Sequence, residues 1–187
     1  MRCLLCEGWS WRIICRACQE KFLHPSIRQK ELLPGFKVIS FYEYHQIEPL
    51  LLTKHHPIGT AVYHILAKNS MAFFAKSFES SVYAIAIDDR IDSGYSHTAI
   101  LAYHLRSSFI KVKFNALKAQ NRVNYSGKSL AFRLSNPRHF RYTGPKGDII
   151  LVDDIITTGT TLKEAYAVCK KAGANPLFAL TLAWVKE

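Results

Sequence analysis

The sequence predicts an α/β protein in which an open parallel sheet, flanked by helices, follows a small cysteine-bearing module. Short apolar runs rich in β-branched residues alternate with longer segments of helical periodicity, the order expected of parallel strands joined by crossover helices. Four of the five cysteines lie within the first 18 residues, as two Cys-x-x-Cys pairs. A Leu-Pro-Gly turn signal at residues 33–35 follows this module, so we expect two domains, residues 1–36 and 37–187.

The strand predictions depend on short apolar runs. Residues 82–87 form a continuous apolar run that ends at Asp88 and Asp89, which is typical of a parallel strand covered on both faces. Residues 148–152 have the same character immediately before a polar turn. β-branched or apolar composition predicts the remaining strands at 38–44, 110–114 and 177–183.

Helical spacing of apolar residues predicts four helices, at 49–56, 58–75, 95–107 and Thr160–Lys171. Pro49 is placed as the opening residue of the first, and Gly173 closes the last. Residues 118–145 lack clean periodicity, so they are predicted to form a long excursion with one helix near 121–129. An excursion of that length in a compact domain is usually functional.

Composition limits the class of protein. Apolar residues make up 49% of the chain, enough for a sizeable core. No apolar run reaches the roughly 18–20 residues that cross a bilayer. Arg2, Glu7 and Arg12 interrupt the apolar residues at the N-terminus, so this segment does not resemble a signal peptide. We therefore expect a cytoplasmic protein.

The strand–turn–helix unit from Asp148 to Leu162 carries the clearest chemistry. Backbone N–H groups across the turn, with a glycine that allows close approach, point at a helix N-terminus, where a phosphate is favoured. Two carboxylates just upstream would accept hydrogen bonds from ribose hydroxyls, and we expect both to face solvent. The alternative is an ordinary strand-to-helix turn with a threonine as N-cap, which would require neither paired acids nor four threonines around a glycine. The predicted ribose 5-phosphate ligands are Asp153, Asp154, Thr157, Thr158, Gly159, Thr160 and Thr161.

The two Cys-x-x-Cys pairs are eight residues apart, which lets four thiolates converge on one Zn²⁺. A four-cysteine set leaves no open coordination position, so the metal would be structural. The alternative to a zinc site is that these cysteines are vestigial or redox-active. The predicted zinc ligands are Cys3, Cys6, Cys15 and Cys18, while Cys169 is expected to be a buried core thiol.

Residues 151–162 resemble the signature with which type I phosphoribosyltransferases bind 5-phosphoribosyl-1-pyrophosphate (PRPP). Two further features accompany this signature: the N-terminal Cys-x-x-Cys pairs and the Lys-His-His-Pro-Ile-Gly segment ending at Gly59. With all three features, the whole chain is similar to the ComF family. The middle signature of that family is matched by the segment from Lys118 to Asn124, with Phe132 before Arg133. The resemblance implies a type I phosphoribosyltransferase-like sheet, PRPP bound with Mg²⁺, and a cytosolic role in natural transformation, in which single-stranded DNA and the inner-membrane uptake machinery are partners.

The loop after the second predicted core strand departs from the family pattern. Family members carry a proline- and arginine-rich loop there, whereas this chain has Asp88, Asp89 and Arg90. The two acids either hold Mg²⁺ that bridges to pyrophosphate or cap the following turn. Turnover is therefore left open, and a metabolic phosphoribosyltransferase or a PRPP sensor are the alternative functions.

Positive charge is concentrated in one segment. Of a net charge of +11, residues 111–146 hold nine Lys and Arg and no Asp or Glu. Aromatic residues are spaced among the cations, so that cations could follow a phosphate backbone while rings stack on unpaired bases. The alternative is a solvated cover over the PRPP site. The predicted DNA-binding residues are Lys111, Lys113, Lys118, Arg122, Tyr125, Lys128, Phe132, Arg133, Arg138 and Arg141.

Overall fold

The computed structural model describes residues 1–88, 95–121 and 135–186. Its strands are β1 (Arg28–Leu33), β2 (Phe36–Glu43), β3 (Val82–Asp88), β4 (Ile110–Ala119), β5 (Phe140–Tyr142), β6 (Gly147–Ile156) and β7 (Ala174–Trp184). Its helices are α1 (Arg16–Phe22), α2 (Tyr44–Leu51), α3 (Gly59–Asn69), α4 (Met71–Ser77), α5 (His97–Tyr103) and α6 (Thr160–Lys171), with a 3-10 turn at Leu52–His55.

All strands of the described ranges belong to one sheet, in the order β1-β2-β7-β6-β3-β4-β5. The five central strands run parallel, while β1 and β5 pair antiparallel at the two edges. The predicted fold class is confirmed: a mostly parallel α/β sheet flanked by helices, with a four-cysteine cluster at the N-terminus. Because β2, β7, β6 and β3 share a direction, their carboxyl ends meet at one edge of the sheet.

Helices cover both faces of the sheet. One core cluster joins α2–α5 to the face of β6 that carries Ile150 and Val152, and a second joins α6 to the face with Ile149 and Leu151. The first cluster also includes Cys3 and several other residues of the N-terminal module. That module is therefore packed on the sheet, and β1, which sequence reasoning assigned to the linker, is an edge strand of the same sheet.

Several predicted boundaries were wrong. Residues 58–75 form two helices rather than one, since the chain breaks at Ser70, whose hydroxyl donates to the carbonyl of Leu66 (2.8 Å). Pro49 does not open a helix but lies inside α2, which begins five residues earlier. The predicted strand at 110–114 continues to Ala119 because its extension pairs with β5. None of the helices in the described ranges is long and apolar enough to span a membrane.

Candidate functional site

The loop between β6 and α6 is a turn built on a left-handed glycine. β6 ends at Ile156, and Gly159 precedes α6 with a φ of 74°, a conformation that a side chain would strain. A Cβ at Gly159 would also collide with the side chain of Leu32 from β1. The hydroxyls of Thr158 and Thr160 are 2.9 Å apart across the turn. The predicted phosphate-binding residues thus lie together at the N-terminus of α6, where orphan N–H groups and the helix dipole favour an anion.

Asp154 does not face solvent, contrary to the expectation from the sequence. Its exposed fraction is 8%, and its carboxylate accepts a hydrogen bond from Lys54 Nζ at 2.9 Å and lies 3.4 Å from His97 Nε2. Burial alone would raise the pKa of Asp154, but the charges of Lys54 and His97 outweigh it and hold that pKa well below its usual range. The carboxylate is therefore an ionised, paired group beneath the site.

Asp153 is the more accessible of the two carboxylates. Side chains alternate along a strand, so Asp153 lies on the α6 side of β6, where its Oδ1 accepts the backbone N–H of Asp154 (2.8 Å). Burial and the neighbouring charge of Asp154 raise the pKa of Asp153, while Arg138 opposes the rise. The two acids predicted as a matched pair are thus electrostatically distinct, and Asp153 is the one placed to meet a ligand.

Lys54 and His97 are site residues that sequence reasoning did not assign. Lys54 lies in the 3-10 turn, and its carbonyl accepts a hydrogen bond from the Tyr95 hydroxyl at 3.0 Å. A Cβ on Gly59 would collide with that same hydroxyl and with the carbonyl of Thr53. The sequence signal that could have pointed to Lys54 is the Lys-to-Gly segment ending at Gly59. A glycine is needed at its end because the turn packs directly against the Tyr95 hydroxyl.

A small pocket opens beside Thr157 at the carboxyl ends of β6 and β7. Two cations of the edge strand β1, Arg28 and Lys30, line it together with Trp184. The Arg28 guanidinium lies 5.9 Å from the centre of the Trp184 ring. The edge strand therefore contributes positive charge next to the loop between β6 and α6, in a segment that sequence reasoning treated as a linker.

The predicted DNA-binding residues fall into three groups. Lys111, Lys113, Lys118 and Arg141 are exposed on β4 and β5, where Lys118 and Arg141 are cross-strand neighbours. Arg138 is half-buried instead, and its charge acts on Asp153, Asp154 and Glu164. Burial lowers the pKa of Arg138. The other predicted DNA-binding residues lie outside the described residues: Arg122, Tyr125, Lys128, Phe132 and Arg133. So do Asp89 and Arg90 of the loop that departs from the family pattern.

The four cysteines of the N-terminal module form a candidate zinc site. Their sulfur atoms all lie within 4.8 Å of one another, and the Cys6 and Cys15 sulfurs are 3.8 Å apart. Two sulfurs bound to one tetrahedral Zn²⁺ at about 2.3 Å would be about 3.8 Å apart. Burial would raise the pKa of the Cys3 thiol, but backbone N–H groups, Cys15 first among them, lower it to about 6. This donor set fits a structural zinc ion.

Cys169 lies apart from that cluster. It is fully buried on α6, and burial raises the pKa of its thiol to about 12. The prediction of a core thiol is confirmed.

Comparison with known proteins gives short sequence matches and weak overall structural similarity. No protein-family profile matches the chain. The transcriptional regulator GfcR of Methanosphaera stadtmanae is 53% identical over 34 residues, 18% of this chain and 17% of that protein. Ribose-phosphate pyrophosphokinase 1 of Archaeoglobus fulgidus is 47% identical over 36 residues, 19% of this chain and 13% of that protein. The matched stretches thus span less than a fifth of either relative.

Three solved structures are similar to the chain. An adenine phosphoribosyltransferase has a TM-score of 0.41 at 20% identity, covering 89% of this chain and 96% of that one. Orotate phosphoribosyltransferase from Aeropyrum pernix has a TM-score of 0.36 at 16% identity, covering 89% and 78%. Adenine phosphoribosyltransferase from Saccharomyces cerevisiae has a TM-score of 0.37 at 16% identity, covering 86% and 93%.

Proposed function

We propose that this protein binds PRPP together with Mg²⁺ at the loop between β6 and α6. The arrangement that supports this most directly is a phosphate-binding turn followed by the N-terminus of α6, with the Asp153 carboxylate at the end of the same strand. The turn would hold the 5-phosphate, and Asp153 would accept hydrogen bonds from the ribose. Asp154 would act beneath the site, where its carboxylate accepts a hydrogen bond from Lys54 and holds that side chain in place.

The pyrophosphate end of the ligand would extend toward β3. Ala86 of β3 pairs with Val152 of β6, so the carboxyl end of β3 lies next to Asp153. β3 ends at Asp88. From their position in the sequence, we propose Asp88 and Asp89 as ligands of Mg²⁺, a hard cation that prefers carboxylate and phosphate oxygens; Asp89 lies outside the described residues. In this arrangement the metal would neutralise the charge that pyrophosphate brings close to the carboxylates.

Calorimetry with PRPP and Mg²⁺ tests this function, using glycines at the two ends of α6. Gly159→Ala and Gly173→Ala each place a side chain at positive φ, which costs on the order of 1–2 kcal/mol of stability in both variants. Gly159→Ala also presses a methyl group against the Leu32 side chain, so the turn that would hold the phosphate must shift, whereas a Cβ at Gly173 meets no atom closer than 3.7 Å. We expect PRPP affinity to fall more than about tenfold in Gly159→Ala and in Asp153→Asn, and to stay unchanged in Gly173→Ala. Wild-type affinity in both site variants would contradict the assignment.

We further propose that the protein serves natural transformation, binding single-stranded DNA during uptake into the cytosol at the inner-membrane machinery. The resemblance to the ComF family supports this role, as do the four exposed cations on β4 and β5. A metabolic enzyme that joins a base or amine to ribose 5-phosphate is the second candidate, which the phosphate loop favours equally.

Deleting the gene separates these two roles. The transformation role predicts a loss of transformants with normal growth, because only DNA uptake depends on the protein. A metabolic role predicts slower growth that nucleobase precursors relieve, with transformation unaffected. Counting transformants per viable cell alongside growth on minimal medium distinguishes them, and normal transformation in the deletion strain would contradict the uptake role.

A further inference from the structure

Two tryptophans of the cysteine module are almost completely exposed. Trp9 has an exposed fraction of 88% and Trp11 of 101%, the highest values among the large apolar side chains in the described residues. A tryptophan ring presents a large apolar surface, and leaving it in water forgoes the free energy that burial would contribute. Two such rings separated by one residue indicate a surface that meets a partner.

The loop that presents these rings is held in place. Trp9 pairs with Arg2 in an antiparallel bridge, and the Ser10 N–H donates to the carbonyl of Met1 at 2.9 Å. The Arg12 N–H donates to the Ser10 hydroxyl at 3.0 Å. The segment lies between Cys6 and Cys15, two of the candidate zinc ligands, so both of its ends are tied to the cluster. The indoles are therefore displayed on an ordered loop and not on a frayed terminus.

The charge around the rings is positive. Arg2 is the bridge partner of Trp9, and Arg12 follows Trp11 directly; both guanidinium groups belong to exposed residues. Glu7 is the single acid among the first 15 residues. Arg16, the next cation along the chain, is paired with Glu20 at 2.7 Å and is engaged within α1. The exposed aromatic surface thus carries two arginines that can meet an anion.

We propose that this loop, residues 8–12, binds single-stranded nucleic acid by stacking Trp9 and Trp11 on unpaired bases while Arg2 and Arg12 contact phosphates. Stacking on aromatic rings beside cations is the way in which single strands are held without sequence preference. Gly8 and Ser10 flank the rings with small or polar groups, which suits separate planar bases better than a continuous aliphatic partner. Interfacial membrane binding typically uses a helix with one apolar face, whereas these rings lie outside the helices of the described residues.

This surface is distinct from the PRPP site and from the cations of β4 and β5. The cysteine module packs in the core cluster with α2–α5, on the sheet face opposite α6. The inference rests on the single-strand binding proposed above and assigns it a second surface that shares no residue with the PRPP site, so PRPP affinity and oligonucleotide affinity are measured separately.

Intrinsic fluorescence provides a direct test, because the chain contains three tryptophans. In a Trp184→Phe variant, all tryptophan emission comes from Trp9 and Trp11. A single-stranded thymidine oligonucleotide should quench this emission to saturation, with an affinity that falls as salt rises, and duplex DNA should quench less. In the otherwise wild-type protein, Trp9→Ala and Trp11→Ala should each weaken oligonucleotide binding about tenfold, measured by anisotropy at fixed salt.

Two controls keep this result specific. Phe73→Ala removes an aromatic ring of 58% exposure on α4 and should leave oligonucleotide affinity unchanged. Retained zinc and wild-type PRPP affinity in the tryptophan variants would show that the fold is intact. Replacing Arg2 and Arg12 with Ala should flatten the salt dependence of binding by up to about two phosphate contacts.

Three outcomes would overturn the proposal. The first is an unquenched Trp184→Phe variant at oligonucleotide concentrations that saturate anisotropy, which would place DNA elsewhere on the chain. The second is a blue shift of the emission with vesicles of phosphatidylglycerol but no response to oligonucleotide, which would indicate a membrane surface. The third is a concentration-dependent dimer in sedimentation that Trp9→Ala and Trp11→Ala abolish, with no response to oligonucleotide, which would indicate a second copy of this chain.

Discussion

Replacing Lys54 with Met is expected to destabilise the protein by about 3–5 kcal/mol at neutral pH, because it removes one partner of a buried ion pair. The Lys54 and Asp154 side chains are 21% and 11% exposed, and their charged atoms are 2.9 Å apart. Methionine keeps most of the aliphatic stem, so the loss is mainly electrostatic. The Asp154 carboxylate would remain buried beside His97, which carries a compensating charge only when protonated.

The pH dependence has a definite sign. In the wild type the folded-state pKa of Asp154 is held below the unfolded value of about 3.9, so its stabilising contribution is present above that pH and is lost as pH falls through the folded pKa. Without Lys54, burial raises the folded pKa of Asp154 instead. The deficit of the variant should therefore be largest near pH 7 and shrink as pH falls toward 4, where the carboxylate takes up a proton.

Urea unfolding of both proteins at pH 7 and pH 4.5 measures this effect. Lys76→Met, at an exposed position on α4, serves as the control and should change stability by less than about 0.5 kcal/mol. Adding Asp154→Asn to Lys54→Met should recover part of the loss, since a neutral amide replaces the orphaned charge. A deficit below about 1 kcal/mol in Lys54→Met, or one that is independent of pH, would show that the pair is not needed for stability.

Local sequence patterns predicted the parts of the molecule that local forces determine. The strand, turn and first helical residues around Gly159 are specified within about a dozen residues, because the positive φ, the helix start and the buried strand each have a composition of their own. The four cysteines were equally clear, since the ligand spacing of a zinc site lies within 16 residues. Both features lie where the sequence predicted them.

The remaining features depend on contacts between distant parts of the chain. Lys54 and Asp154 are 100 residues apart, so no window of the sequence shows that one neutralises the other. β1 is polar and largely exposed, and it becomes a strand because it pairs with β2 at the sheet edge. Arg138 belonged to a run of cations, but charge composition does not reveal that one member of the run is half-buried and acts electrostatically on the two carboxylates. These pairings are therefore determined by tertiary contacts, which local sequence patterns do not show.

Replacing Cys15 with Ser is expected to remove the zinc ion and to destabilise the whole domain, not the N-terminus alone. Cys3 and Cys18 belong to the main core cluster, together with Ile14 and Leu23. The Tyr42 hydroxyl donates to the carbonyl of Leu23 at 3.1 Å. A structural zinc site supplies folding free energy directly, on the order of 10 kcal/mol or more in isolated zinc-finger peptides. Part of that free energy stabilises the sheet through these contacts.

The measurement pairs metal content with thermal unfolding. Wild-type protein purified without added metal should contain one zinc per chain, and Cys15→Ser should contain none and unfold more than about 10 °C lower, which corresponds to a loss of roughly 3–5 kcal/mol for a chain of this size. Cys169→Ala is the matched control, because it removes a buried thiol outside the cluster and should lose stability while retaining its zinc. Zinc retained by Cys15→Ser would contradict the four-ligand site. Zinc lost without a fall in the unfolding temperature would mean that the module is not coupled to the core, despite the contacts of Tyr42 and Leu23.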